Sequence, residues 1–443
     1  MKYQAEVLVI GGGPSGLSVA YGLQGDTIVL EKEFKVGGLC RSIYQGEGVF
    51  DIGGHSFHTP HPEVDRLVEM LLEGGLFRQQ RDARVYTNGV VIPYPFQKSY
   101  EQVPDAQIVK ECEEGLRNAM GQAEQAANFE DYIVRKFGRG IAEHFMLPYN
   151  RKLWARDLKR ISCEWTSERV AAPKGQVETF QFSGGARKPL QSDTSVGYPR
   201  RGGFEEIYAI FVPHLPAIHL NAEVAEIDTR HKTVTTRSGQ RYRWEILVST
   251  MPLPVLLERI VQAPPRLRQL AERLEYMSLR VELLLTGAPL KSTVQRIYVA
   301  DPAIPPHKIA LNHNSSDYLR KRANHAIMAE VSISDEKRVD VEEIAPRTVD
   351  FLRSVGVLER HDEIIWKGHF DVRYAYPVYT HDRPAIVQEI KEWLGERDVY
   401  TTGRFGDWEY INSDKCIKKG LELASQLRTM YQGALRSVAS PEL

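Results

Sequence analysis

The stretch Gly11-Gly12-Gly13-Pro14-Ser15-Gly16 follows the apolar run Val7-Leu8-Val9-Ile10, and Glu31 stands twenty residues beyond Gly11. Residues of these types at this spacing hold a pyrophosphate. Gly11 makes the tight turn, Gly13 lets backbone N–H groups approach the phosphates, and Gly16 lets helix and strand pack closely, while the acid accepts from a ribose hydroxyl. A helix opens at Ser15. Further on, Gly37-Gly38-Leu39-Cys40-Arg41-Ser42 forms a second glycine turn, and Phe50-Asp51-Ile52-Gly53-Gly54-His55 sets a glycine pair before a histidine. The last suits a loop that passes close to a planar ligand, with His55 as a candidate site residue.

These residues need two short buried strands at 7–10 and 27–30 with a helix between them, the opening of a parallel Rossmann-like sheet. The second glycine pair, with Arg41 soon after the ribose acid, resembles the flavoprotein version of the motif, which favours FAD over NAD. At 443 residues the chain exceeds one ordinary core, so two or three domains are expected. Lys and Arg number 57 against 58 Asp and Glu, a formal charge of -1, which removes the electrostatic case for nucleic acid or an anionic membrane as main partner. No apolar stretch approaches a membrane span and no leader precedes the first strand, so a cytoplasmic location is expected. Cys40, Cys112, Cys163 and Cys416 are scattered, a pattern of incidental thiols with no metal site.

Periodicity places the remaining elements. Residues 61–74 are helical, with Val64, Leu67, Val68, Leu71 and Leu72 on one stripe, and 84–92 form a hairpin about Thr87-Asn88-Gly89. A helical pattern runs from 105 to 154, with Pro148 closing the run. Strands are expected at 224–227, 233–236 and 246–250, then a helix near 267–277. Strand-like runs at 281–286, 296–299, 325–331 and 363–370 suggest an antiparallel second sheet, interrupted by a helix at 341–358. A final amphipathic helix starts at Asp414. Its N-terminus offers unpaired N–H groups and partial positive charge to the carbonyl side of a reduced flavin. The fold class expected is α/β: a Rossmann-like FAD-binding domain (1–80, 196–260 and 395–443), a mostly helical domain (98–195), and an antiparallel sheet domain for substrate (81–97 and 261–394).

In order along nearly the whole chain, the sequence resembles the flavin-dependent UDP-galactopyranose mutases, in particular the longer eukaryotic type. The glycine motifs are shared with amine and protoporphyrinogen oxidases. More specific are Tyr94-Pro95-Phe96-Gln97, Pro148-Tyr149-Asn150 with Trp154, and Trp165-x-x-Glu168-Arg169-Val170-Ala171-Ala172-Pro173. Gly403-Arg404-Phe405-Gly406-x-Trp408-x-Tyr410 adds to them.

The resemblance implies a redox-neutral ring contraction of a UDP- or dTDP-linked sugar. Reduced FAD serves as nucleophile through N5 on the anomeric carbon, and NADPH or NADH is a candidate reductant. It further implies that Tyr94, Phe96 and Gln97 hold the pyrimidine, Asn150 and Trp154 the ribose side, and Arg169, Tyr298, Tyr376 and Tyr410 the diphosphate, with Arg81 near the site. His55, Arg169, Arg404 and Lys308 would carry the chemistry. Gly11, Gly13, Ser15, Gly16, Glu31, Lys32, Gly38, Leu39, Arg41, Gly54, His55, Val224, Arg404, Asn412, Ser413 and Asp414 would hold the flavin. A homo-oligomer is allowed for.

The chain departs from the family where a second diphosphate arginine is expected: it has Lys308 there, and Ser315 in place of a tyrosine seven residues on. Asp193 falls where a sugar-contacting Asn is expected. The nucleotide end is kept and the sugar end altered, which points to a sugar other than galactose. Two other readings remain, a flavin oxidoreductase of the amine-oxidase superfamily and a flavin-stabilised binding protein without chemistry.

Overall fold

The computed structural model describes residues 3–119, 126–174, 180–182, 185–187 and 195–431. Asp193 lies outside the described residues. The strand Tyr3–Ile10 is buried over its last four residues, as an apolar run between two neighbours must be. It pairs parallel with Thr27–Leu30 on one side and with Arg241–Ser249 on the other. Ile218–His219 and Val399–Thr401 add parallel strands, and the hairpin Val224–Asp228 with Thr233–Thr236 adds antiparallel ones, making seven in all. The helix Pro14–Leu23 lies against the last helix, Ser413–Met430. Gly420 permits the contact, since a Cβ there would sit 2.6 Å from the Ser15 carbonyl oxygen.

The second sheet also has seven strands, in the order Ile364–Pro377, Tyr276–Thr286, Ala326–Ile333, Lys308–Leu311, Arg296–Val299, Ala83–Thr87 and Val90–Pro93. It is largely antiparallel, as expected, with one exception: Arg296–Val299 pairs parallel with Ala83–Thr87. Parallel neighbours need a long crossover, and here most of the helical layer and the first sheet lie between the two strands in sequence. Helices Ala106–Ala119, Phe129–Ile141 and Leu147–Trp154 cover one end of this sheet, around buried Phe96, Phe129, Phe137, Phe145 and Trp154.

Several boundaries differ from the sequence reading. Pro148 does not close the helical run, which continues to Trp154. The turn before it, Ala142–Met146, is wound as a π-helix, and Pro148 sits within the first turn of the next segment, where a missing N–H is tolerated. The helix expected near 267–277 ends at Glu272, and Tyr276 already begins the strand to Thr286. The helix starting at Val341 stops at Ser354. No helix among the described residues is long and apolar enough to cross a membrane.

Candidate active site

A cavity of about 740 Å³ takes its walls from both sheets and the helical layer. At one end are Gly11, Gly13, Ser15, Glu31, Lys32, Gly38, Leu39 and Arg41. Gly13 precedes the helix Pro14–Leu23 without a side-chain acceptor for the helix N–H groups. A Cβ on Gly13 would meet nothing nearer than the Gly38 Cα, 3.8 Å away, so the two turns leave open room above the helix N-terminus. Glu31 is buried and accepts from the N–H groups of Gly12 at 2.6 Å and Glu33 at 2.9 Å. Its remaining lone pairs are available to a ribose. Arg41 is held by the Gly38 carbonyl at 2.9 Å and Glu33 at 3.0 Å. The chemistry of this end fits an FAD pyrophosphate and ribose.

The last helix presents the same character. Asn412 occupies the N-cap position, yet its side chain does not cap: Oδ1 accepts from Arg169 Nη1 at 2.7 Å. The Asn412 side chain therefore caps none of the first helix N–H groups, and Asn412 and Ser413 both line the cavity. Arg169 also donates to the Tyr410 carbonyl at 2.7 Å, and its guanidinium lies 4.3 Å from the Tyr410 ring centre. Arg404 donates to the carbonyls of Ile411 at 2.9 Å and Ala375 at 3.1 Å, with Tyr376 beneath it at 5.2 Å.

At the far end Tyr94 stacks on Tyr298 with centroids 4.5 Å apart, and Tyr376 meets Tyr410 edge-on at 5.1 Å. Gln97 is fixed by the Ala171 carbonyl at 3.0 Å and Asn150 by the Met146 carbonyl at 2.7 Å. Lys308 and Glu330 face each other on adjacent strands, with Nζ and Oε1 2.8 Å apart. The same oxygen accepts from the Gly54 N–H at 2.6 Å. His55 stacks on Phe204 at 4.9 Å, and its Nδ1 is buried without a partner.

The electrostatics are those of an anion site. Arg81, Arg169, Arg296 and Arg404 all line the cavity and form no ion pair with a carboxylate among the described residues. Burial, then Lys308, Arg296 and Arg404, holds His55 well below the usual imidazole value, so the ring is neutral. Burial raises Tyr376 to about 12, with Glu330 adding to the effect, and raises Tyr410 as well, so both phenols keep their protons as donors. Burial also works to raise Tyr298, but Arg296, Arg81 and Lys308 outweigh it and leave that phenol below its ordinary value.

Most residues expected from the sequence meet at this cavity. Five do not line it. Gly16 serves packing, since a Cβ there would lie 1.9 Å from the Gly11 carbonyl. Phe96 is buried against Phe145, and Trp154 is buried edge-on to Trp165 and Tyr410, behind the wall. Val224 belongs to the first-sheet core, and Asp414 is buried below Ser413. Ser315 is likewise turned away, bonding Asn312 at 3.1 Å. Sequence reasoning missed Arg296, Tyr149 and Glu330. Arg296 stands two residues before Tyr298 on a strand, hence on the same face, and Glu330 is a lone acid in the apolar run Ala326–Ile333; both signals were readable.

A parallel sheet whose first glycine turn, buried acid and open helix N-terminus share one cavity with a second sheet defines a dinucleotide-binding protein of Rossmann-like type. The chain belongs to the flavin containing amine oxidoreductase family, whose model matches residues 14–290. It is 23% identical over 267 residues to protoporphyrinogen oxidase 2, chloroplastic/mitochondrial, of Arabidopsis thaliana, covering 53% of this chain. The chain spans about half the length of that relative, 51%. A solved structure of reduced UDP-galactopyranose mutase is similar with a TM-score of 0.86 and 25% identity, over 96% of this chain and 94% of that one. A protoporphyrinogen oxidase-like structure from Exiguobacterium sp. 255-15 shares the fold, with a TM-score of 0.72 and 14% identity over 97% and 99% of the two chains.

Proposed function

We propose that this protein is an FAD-dependent nucleotide-sugar pyranose/furanose mutase, acting on a UDP- or dTDP-linked sugar. The observation that carries the reading is the likeness to reduced UDP-galactopyranose mutase over 96% of the chain, far beyond the glycine motifs common to the wider family. The cavity supports it, because it joins the pyrophosphate-type end to Tyr94, Gln97, Asn150 and Arg169. When bound and reduced, FAD supplies a nucleophilic nitrogen for the anomeric carbon.

The chain's own residues do the rest. Gly13, Glu31, Gly38 and Arg41 hold the cofactor, and the open N-terminus of Ser413–Met430 favours negative charge near it. Tyr94 and Gln97 take the base and Asn150 the ribose side. Arg169 gives charge-assisted bonds to a phosphate, while Tyr376 and Tyr410 donate without adding charge. His55, neutral and stacked on Phe204, closes the flavin side of the cavity. That Lys308 pairs with Glu330, where the resemblance leads to an arginine reaching the substrate, supports a preferred sugar other than galactose.

A second reading, a flavin oxidoreductase, draws support from family membership and from the oxidase relative. The deciding experiment incubates dithionite-reduced protein anaerobically with a panel of UDP- and dTDP-sugars and looks for furanose products. Formation of furanose from at least one, with UDP-galactopyranose not the best, is expected. No furanose from any member contradicts the mutase reading.

A further inference from the structure

The cavity holds more cation than the expected site residues account for, and the two strands Arg296–Val299 and Lys308–Leu311 show how it is distributed. Tyr298 pairs directly with Lys308 and Arg296 with Ala310, so on the two-residue period of a strand Arg296, Tyr298 and Lys308 share one face of the sheet. All three line the cavity. They are not equivalent there.

Lys308 is committed. Its Nζ lies 2.8 Å from Glu330 Oε1, its side chain is 13% exposed and that of Glu330 is 1% exposed. Glu330 in turn receives the Gly54 N–H at 2.6 Å, and a Cβ on Gly54 would come 3.6 Å from the Lys308 Cε. To give its charge to a phosphate, Lys308 would have to abandon a buried carboxylate, which is expensive. Arg296 has no such commitment. It forms no ion pair with a carboxylate among the described residues, and its charge acts on the neighbouring Tyr298 phenol, which it helps to hold below its ordinary value. Its charge acts on both His55 and Tyr94, which line the same cavity.

Arg81 completes the group. It sits in the short turn between the strands Leu76–Gln80 and Ala83–Thr87, and Ala83 is the parallel partner of Arg296. Its Nε is buried without a hydrogen-bond partner. Two guanidiniums that line the cavity and whose charges both act on the Tyr298 phenol, neither in an ion pair with a carboxylate among the described residues, offer planar N–H forks to an anion.

We propose that Arg296, with Arg81 beside it, grips the substrate's second phosphate, and that Lys308 is a positioning residue acting through Glu330 on the Gly53–His55 loop. The bidentate geometry missing at position 308 is thus supplied from the neighbouring strand. This inference rests on the nucleotide-sugar reading above, and its test separates the two.

The test is calorimetric titration of the oxidised, FAD-loaded protein with UDP and with dTDP, for wild type, Arg296→Ala, Arg296→Gln, Arg296→Lys, Lys308→Met and Lys308→Arg, each checked for flavin content. Arg296→Gln keeps a polar side chain beside Tyr298 should the alanine variant fail to fold. Arg296→Ala and Arg296→Gln are expected to weaken binding of the better nucleotide by about ten- to a hundredfold. Arg296→Lys restores the charge without the fork and recovers only part of the loss. Lys308→Met is expected to stay within about threefold of wild type in affinity while shifting the visible flavin spectrum, and Lys308→Arg to restore that spectrum. Unchanged affinity in the Arg296 variants, with Lys308→Met weakened tenfold or more, overturns the assignment and leaves the nucleotide-sugar reading standing. A wild-type protein that binds neither nucleotide overturns both.

Discussion

Arg169 Nη1 donates to Asn412 Oδ1 at 2.7 Å, across 243 residues of sequence. The contact takes the N-cap side chain of the last helix away from its own helix, and it fixes a guanidinium that lines the cavity. Arg169→Ala is expected to weaken nucleotide binding by about 1.5 to 3 kcal/mol, the worth of a charge-assisted hydrogen bond, and to perturb the flavin spectrum once Asn412 is released. Titration with UDP and an absorption scan check both. Unchanged affinity would remove Arg169 from the phosphate site.

Gly13→Val fills the room between the two glycine turns, where a Cβ now meets only the Gly38 Cα at 3.8 Å. The variant is expected to purify folded and colourless, since nothing in the core is displaced. Absorbance near the flavin bands, set against circular dichroism, is the measurement; a variant that keeps stoichiometric FAD would place the pyrophosphate elsewhere.

Lys152 is buried and its Nζ donates to the carbonyls of Asp301 at 2.8 Å, Ile304 at 2.7 Å and Pro306 at 2.8 Å. It ties the helix that carries Asn150 to the loop entering the Lys308 strand. Lys152→Met leaves three carbonyls unsatisfied, and a loss of about 2 to 3 kcal/mol in urea unfolding is expected. A change under about 0.5 kcal/mol would mean that water replaces the lysine nitrogen.

Burial lowers His313 to about 3, with the stacked His325 ring 3.9 Å away adding to the effect, and His55 and His307 also lie well below their usual value. Unfolded, each imidazole takes a proton near pH 6.5, so the unfolded chain binds more protons and stability falls as pH drops below about 6.5. Asp51 opposes this. Burial raises it to about 6, so the folded protein takes that proton first and gains stability as pH falls through about 6 toward about 4. His313→Gln isolates one imidazole: between pH 7 and 5 it is expected to lose about 2 kcal/mol less than wild type. Parallel losses in urea unfolding would show that His313 titrates normally.

The nucleotide-binding half was legible because local chemistry determines it. Glycines, an apolar strand and an acid at fixed spacing have one economical arrangement, and Gly11, Gly13, Glu31 and Gly38 stand where that arrangement requires. The second half was legible as strands but not as a site. Nothing in the sequence says that the hairpin strand Ala83–Thr87 pairs parallel with Arg296–Val299, and without that pairing Arg81 and Arg296 are two unrelated arginines. Lys308 was read by position and so assigned to phosphate; its commitment to Glu330 depends on strand order. Phe96 and Trp154 belong to specific motifs, yet the structure uses them as packing behind Gln97 and Asn150.

A mutase of this kind regenerates its flavin rather than consuming it, and one anaerobic experiment reads this directly. Reduced protein is mixed with an excess of the best nucleotide sugar from the panel, and the flavin absorbance and the furanose formed are followed together. The mutase account predicts many furanose molecules per flavin, with the flavin still reduced at the end. One flavin reoxidised for each product molecule, with no furanose, would contradict it.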